Sequence, residues 1–282
     1  MSIVLLTGLA ILVRIMSNPA GNVFQKQLTA GGQHPLLVNL LTYLLLSIIV
    51  LLPATQLNWQ ALSPGFWWYA ISAGIVGAVG NGFLVKALEK GDLSVLGPVN
   101  SYKSVLGIFF GIFLLGEVPN IWGFLGVALI IWGSYFVLDT TSDRFTWALL
   151  RRKDIQFRIW AMILTAIEAV LIKKIILYSS PATAFICWCW FGALFSAPLL
   201  VLFRNGQPLI QKSLDGSVII RYALLVVCIG AMQFTTNYAF DHMQVGYALS
   251  LFQLSTLISV LLGHRIFGET HIRQKLIGSA IM

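Results

Sequence analysis

Three charged side chains stand inside stretches that are otherwise oil: Arg14, Lys103 and Glu168. At the centre of a membrane helix such a residue costs roughly 2.5–3.5 kcal/mol or more. A chain that keeps one there uses it to touch a polar substrate, to move a proton, or to pair with an opposite charge. Lys103 sits in GPVNSYKSVLGIFFGIFLLGEVPN, where Asn100, Lys103, Ser104, Gly107 and Gly111 fall on one face of a 3.6-residue helix. The other side carries Val105, Ile108, Phe109, Ile112 and Phe113. Ser255, Thr256, Ser259 and Gly263 repeat that small, polar stripe late in the chain. Two such stripes facing each other would line a wet cavity. Two other readings stand beside this one: Gly107 and Gly111 as a close helix contact, and Lys103 as a lysine snorkelling to the interface.

Arg14 and Glu168 each lie about 12 residues into an apolar segment, so a base and an acid are expected at matching depths. They either form a static pair that fixes packing or both face the cavity. Near Arg14 runs Ser17-Asn18-Pro19-Ala20-Gly21-Asn22. Proline and glycine inside a span release backbone carbonyls, which are tolerated only against protein or water. That places Asn18 and Asn22 at a kink lining the cavity, or at a bend made for packing. Gln233, Thr236, Asn237 and Tyr238 supply further polar groups, read equally as cavity rim or interfacial anchors. The candidate substrate-binding set is therefore Lys103, Asn100, Arg14, Asn18, Asn22, Ser255 and Asn237, with Glu168 and Arg14 as the coupling residues or ion pair.

Composition says what must hold these residues. Of 282 residues 58% are hydrophobic and 10% charged, with a mean hydropathy of +0.85. Soluble domains carry roughly 25% charged residues, so this is an all-α membrane protein of many spans. The net charge of +8 collects in short connections such as Arg151-Arg152-Lys153, which suits lipid headgroups rather than nucleic acid. Cys187, Cys189 and Cys228 lie in apolar runs and have neither a zinc spacing nor an even count for disulfides. His34, His242, His264 and His271 are scattered over different loop ends, and no HExxH, GxSxG or P-loop spacing occurs. No enzyme activity, cofactor or metal is expected. No filter-like loop suggests a channel. The N-terminus lacks the basic region and cleavage site of a signal peptide and reads as a first span.

Ten apolar segments can be marked: 3–27, 35–53, 66–88, 94–115, 120–138, 156–176, 182–203, 217–240, 246–267 and 271 onward. Trp67, Trp68, Trp122 and Trp147 sit near segment ends, as an aromatic belt would. The one long polar connection, 139–158, divides the chain into residues 1–139, an inter-repeat loop at 140–155, and residues 156–282. The last segment offers roughly 18 Å of helix against a hydrocarbon core of about 30 Å, so the tenth helix is expected to be truncated.

The two halves echo each other. Residues 80–130 lie on residues 232–282 without a gap, matching Gly116-Glu117 with Gly268-Glu269, Gly111 with Gly263, Ala87 with Ala239 and Gly126 with Gly278. An internal duplication follows. Five is odd, so the second copy would enter the membrane from the opposite side, giving two inverted five-helix repeats, a common transporter architecture.

The block NSYKSVLGIFFGIFLLGEVPNIWGFLGVALIIWGSYFVL and its echo LFQLSTLISVLLGHRIFGETHIRQKLIGSAIM resemble the EamA family of the drug/metabolite transporter superfamily. The resemblance covers essentially the whole chain. It implies a secondary transporter in a bacterial-type inner membrane, commonly an exporter of small metabolites or amino acids. Proton coupling is a further option, since related small multidrug members place a proton-coupling Glu in the first helix. Here Arg14 holds that place and an acid stands only in the second copy. The resemblance implies cytoplasmic termini, whereas the distribution of Lys and Arg by the positive-inside rule puts them outside. The expected partners are a small-molecule metabolite and the lipid bilayer; the alternative is a non-transporting scaffold or receptor with the same fold.

Overall fold

The computed structural model describes residues 2–138, 151–204, 208–210 and 215–281. Among these residues it is built of helices: α1 (Ile3–Ala30), α2 (Pro35–Ile49), α3 (Leu51–Ala54), a 3-10 turn (Trp59–Ala61), α4 (Pro64–Lys90), α5 (Leu93–Val99), α6 (Tyr102–Leu115) and α7 (Ile121–Leu138), followed by α8 (Lys153–Tyr178), α9 (Pro181–Phe203), α10 (Gly216–His242), α11 (Val245–Phe252), α12 (Ser255–Phe267) and α13 (Ile272–Ile281). Most of the expected connection at 140–155, with Arg144 and Trp147, lies outside the described residues, as does Lys212.

The sequence starts these helices in a recurring way. At α2, α4 and α9 a polar residue is followed by proline at the first helical position. The His34, Ser63 and Ser180 side chains accept hydrogen bonds from the backbone N–H groups of Leu36, Phe66 and Thr183. Proline has no N–H to leave unsatisfied there, and the cap satisfies one of the remaining orphan donors. Asp215 does the same for α10 through Val218.

Among the described residues five helical stretches are long and apolar enough to cross a membrane: Ile3–Ala30, Pro64–Lys90, Pro181–Phe203, Gly216–His242 and Val245–Phe267. The others are shorter or, like α8, carry more charge. The exterior is apolar: Val4, Leu52, Phe113 and Val201 are each more than 70% exposed. Soluble proteins rarely expose contiguous apolar surface on this scale, whereas hydrocarbon solvates it. Trp68 and Trp122 also stand outward, as a belt requires.

Two spans that read as continuous in sequence are broken. Residues 94–115 divide into α5 and α6 at Asn100-Ser101, and residues 246–267 divide into α11 and α12 at Gln253-Leu254. At each break the backbone tightens to i→i+3 bonds: Lys103 N donates to Asn100 O at 2.9 Å and Thr256 N to Gln253 O at 2.7 Å. Apolar periodicity alone does not reveal such a break, because the residues on both sides remain apolar.

Packing is reciprocal between the halves. α4 lies along α8 while α10 lies along α1; α5 packs on α12 while α11 packs on α6; α2 meets α9, and α7 meets α13. Exchanging the two repeats reproduces this set of neighbours. Small residues permit the approach. A Cβ on Gly74 would fall 2.3 Å from the Phe191 Cβ, and one on Gly107 would fall 2.3 Å from Leu249. Gly107 thus makes the close helix contact that its spacing offered.

The shared Gly-Glu pairs close this arrangement. Gly116 and Gly268 end α6 and α12 with φ of +71° and +67°, the left-handed region glycine adopts without strain. Each following glutamate reaches into the other repeat. The Glu117 carboxylate accepts from Val245 N at 2.8 Å, the first residue of α11. The Glu269 carboxylate accepts from Leu93 N at 2.8 Å, the first residue of α5. A carboxylate at a helix N-terminus satisfies an orphan donor and meets the positive end of the helix dipole. The pair of bonds therefore ties each repeat to the broken helix of the other.

Candidate functional site

A partly open cavity of about 870 Å³, counting its mouth, lies between the repeats. α1 presents Arg14, Asn18, Asn22 and Gln25 to it, spaced at i, i+4, i+8 and i+11 along one face. From the other half α8 presents Arg158, Thr165 and Glu168. Asn100 and Lys103 enter from either side of the α5–α6 break, where the interrupted helix turns polar groups inward. Asn39, Thr42 and Tyr43 of α2, Asn81 of α4, Trp188 of α9 and Gln233 and Thr236 of α10 complete the polar wall.

Each charge is held differently. The Arg14 guanidinium lies 4.7 Å above the Phe252 ring, a cation–π contact. Its Nε donates to Thr236 Oγ1 at 2.8 Å, while its Nη1 is buried with no hydrogen-bond partner. Glu168 accepts through Oε1 from Trp188 Nε1 at 2.7 Å, and Trp188 in turn packs on Tyr43 with ring centroids 4.6 Å apart. The Glu168 carboxylate rests against Gly77, where a Cβ would stand 2.1 Å from its oxygen. Arg158 Nε donates to Leu96 O at 3.0 Å. Lys103 lies in the fields of Glu168, Arg14 and Arg158.

Six of the sequence-selected residues meet at this one place: Arg14, Asn18, Asn22, Asn100, Lys103 and Glu168. Ser255 and Asn237 do not reach it. Asn237 is fully buried, accepting from Gln233 Nε2 at 2.9 Å and donating to Pro181 O at 3.2 Å, so it ties α10 to the start of α9. Ser255 is buried at the start of α12, the helix that packs on α5 and α1. Arg14 and Glu168 do not pair directly, for each binds the neutral partner just described. Nor are their positions equivalent: measured from the helix ends Ala30 and Tyr178, Arg14 lies six residues further in than Glu168. α1 runs on as helix through Pro19.

Spacing and composition did not single out Arg158, which reads as a loop charge, nor Gln25, Asn39, Asn81, Tyr43 and Trp188. The one signal for Arg158 is that it shares a helical face with Thr165 and Glu168, and the neighbouring run of basic residues hides it. Asn39 shares a helical face with Thr42 and Tyr43, a spacing that could have found it, whereas Asn81 is the single polar residue in the apolar run 73–85. Among the described residues no group of three His, Cys, Asp or Glu side chains is placed to hold a metal ion.

An apolar exterior, reciprocally packed helices and a charged chamber between two repeats define a polytopic membrane protein of the transporter class. A family model described as the EamA-like transporter family matches residues 7–139 and again residues 154–282. The chain belongs to that family. A curated relative from Sinorhizobium sp, described as an uncharacterized transporter in the cobO 3' region, is 33% identical over 97 residues, which is 33% of this chain and 68% of the relative. A protein known from a crystal structure aligns over 98% of this chain and 95% of its own with a TM-score of 0.71 at 18% identity, a likeness of fold.

Proposed function

We propose that the protein crosses the membrane ten times as two inverted five-helix repeats. It works as a secondary transporter that exports a small polar, amino-acid-like metabolite by alternating access around the central cavity. The observation that carries this reading is the cavity itself. Charged side chains from both repeats converge on it without pairing directly to one another. A scaffold would gain nothing from that arrangement and would bear its cost. The reciprocal packing supports rocking of one repeat against the other, because exchanging the halves recreates the same contacts with the mouth on the opposite side. Glu168 is the carboxylate on the described lining, and any proton coupling would act through it.

Purified protein in proteoliposomes should exchange or accumulate a metabolite. Lys103→Ala and Glu168→Gln should each lower the rate about tenfold or more, the weight of one charge-assisted contact. An imposed pH gradient should drive the wild type but not Glu168→Gln. Normal transport by both variants would remove the cavity assignment; absence of any flux across a broad metabolite panel would remove the transport reading.

A further inference from the structure

The charge on the cavity wall does not balance. Arg14, Lys103 and Arg158 border it, and Glu168 is the one carboxylate on its described lining. The bonds these cations make go to neutral acceptors: Arg14 to a threonine hydroxyl, Arg158 to a backbone carbonyl. The Nη1 of Arg14, a residue only 8% exposed, has no partner at all. Lys103 makes no ion pair within 4.0 Å among the described residues and meets Glu168 only through its field. The lining therefore carries three formal cations against one carboxylate, an excess of two. In a protein surrounded by hydrocarbon, uncompensated buried charge is strongly unfavourable, and a bound anion supplies the counter-charge that the described lining lacks.

Resting on the transport reading above, we infer that the cavity is built for a small organic anion carrying two acidic groups, one received by Arg14 and the other by Lys103. A zwitterion of zero net charge would leave the excess in place, a monoanion would halve it, and a cation would add to it. Two negative charges neutralise the loaded chamber, which is the condition for carrying it through an occluded state at low cost. The planar fork of Arg14, with its unpartnered Nη1, suits a bidentate acidic group, and the ammonium of Lys103 suits a point contact. Asn18, Asn22 and Asn100 border the same space with amides that hydrogen-bond to no other described side chain. An amino group on the ligand would meet Glu168 but restore one charge of the excess, so diacids without an amine fit the wall best. A dicarboxylate carries the two charges on separate groups, and a phosphate monoester supplies the same charge on one group placed between the two cations.

The test uses the full chain in nanodiscs. Binding is titrated with a four-carbon dicarboxylate, an acidic amino acid, a small phosphate monoester, a neutral zwitterion of similar size and a small organic cation. At least one dianion should bind about tenfold or more tighter than the neutral zwitterion, and the cation should bind weakest. Preference for the phosphate monoester over both carboxylates, or the reverse, identifies the source of the acidic groups. Arg14→Gln and Lys103→Gln should each erase about tenfold of the discrimination. Lys103→Gln breaks no ion pair among the described residues and so keeps the test decisive if Arg14→Gln does not fold. The inference is overturned if no dianion binds at millimolar concentration, if the zwitterion or cation binds as well as the dianions, or if both variants keep the full preference. Dianion binding without any flux would sink the transport reading alone, while flux of a neutral metabolite with no dianion binding would sink this inference alone.

Discussion

Glu269→Gln should destabilise the protein far more than Glu117→Gln, although the two glutamates occupy matching places in the repeats. Both carboxylates cap a helix of the other repeat through a backbone N–H at 2.8 Å. Only Glu269 also binds a lysine: Lys26 Nζ lies 3.0 Å from its Oε1, with the two side chains 13% and 5% exposed. On the opposite side Lys173 lies in the field of Glu117, yet it donates to the carbonyls of Phe240 and Met243 at the end of α10. Glutamine keeps an acceptor for the capping bond, so Glu117→Gln exchanges a charge-assisted hydrogen bond for a neutral one, a loss of about 1 kcal/mol. Glu269→Gln in addition strands the Lys26 ammonium. Removing one partner of a buried pair costs about 3–5 kcal/mol. The partial exposure of Lys26 and its position 4.5 Å above the Phe267 ring place the loss near the lower figure, about 3 kcal/mol. In thermal unfolding that difference corresponds to roughly 4–8 °C between the two variants. Lys26→Met should rescue Glu269→Gln, and the double-mutant cycle should show coupling of at least about 1 kcal/mol. Equal shifts for the two glutamates, or an additive cycle, would refute the reasoning.

Two further outcomes follow from single contacts. Gly77→Ala places a methyl 2.1 Å from a Glu168 carboxylate oxygen, so it should abolish transport through displacement of that side chain, and a second substitution of Glu168 should then have no further effect on flux. His34 caps α2 by accepting from Leu36 N through Nδ1 at 3.2 Å, which requires the neutral ring. Burial, aided by Lys86, holds its pKa below the ordinary 6.5. The unfolded chain therefore takes up this proton at a higher pH than the folded one. The stabilisation is present above about pH 6.5 and declines as the pH falls toward the lowered folded value. His34→Asn, a capping residue without that titration, should flatten this part of the stability profile in denaturation measured from pH 8 to pH 5; an unchanged slope would exclude His34 as its source.

How much of the site is legible in the sequence depends on whether the signal is periodic. Arg14, Asn18 and Asn22, and likewise Asn100 and Lys103, share a helical face and can be placed together from spacing alone. The Gly-Glu pairs are legible as a repeat, and their chemistry is not: nothing in the spacing of Glu117 shows that it caps Val245 from the other half of the chain. Asn237 is misplaced by sequence because its neighbours Gln233 and Thr236 do reach the cavity, while its own amide is committed to Pro181. Arg158 is masked by its position near a cluster of basic residues. Its burial also weakens the orientation drawn from the basic residues, since Arg158, Lys275 and Lys26 read as loop charges and lie inside the protein.

Comparison of the two repeats with each other separates scaffold from site. Where the register superimposes them, Gly111, Gly116 and Glu117 recur as Gly263, Gly268 and Glu269, and these residues shape turns and cap helices. At the cavity the copies differ. Asn100 is matched by Phe252, the ring beneath Arg14, and Lys103 is matched by Ser255, which does not border the cavity. A strictly symmetric duplication would put two lysines on the wall and no aromatic platform for the arginine. The divergence instead gives the chamber one lysine and one ring-supported arginine on different helices. Its charge is thus distributed unequally between residues that the register matches. The reciprocal packing is shared by the repeats, and the charges that border the cavity are not.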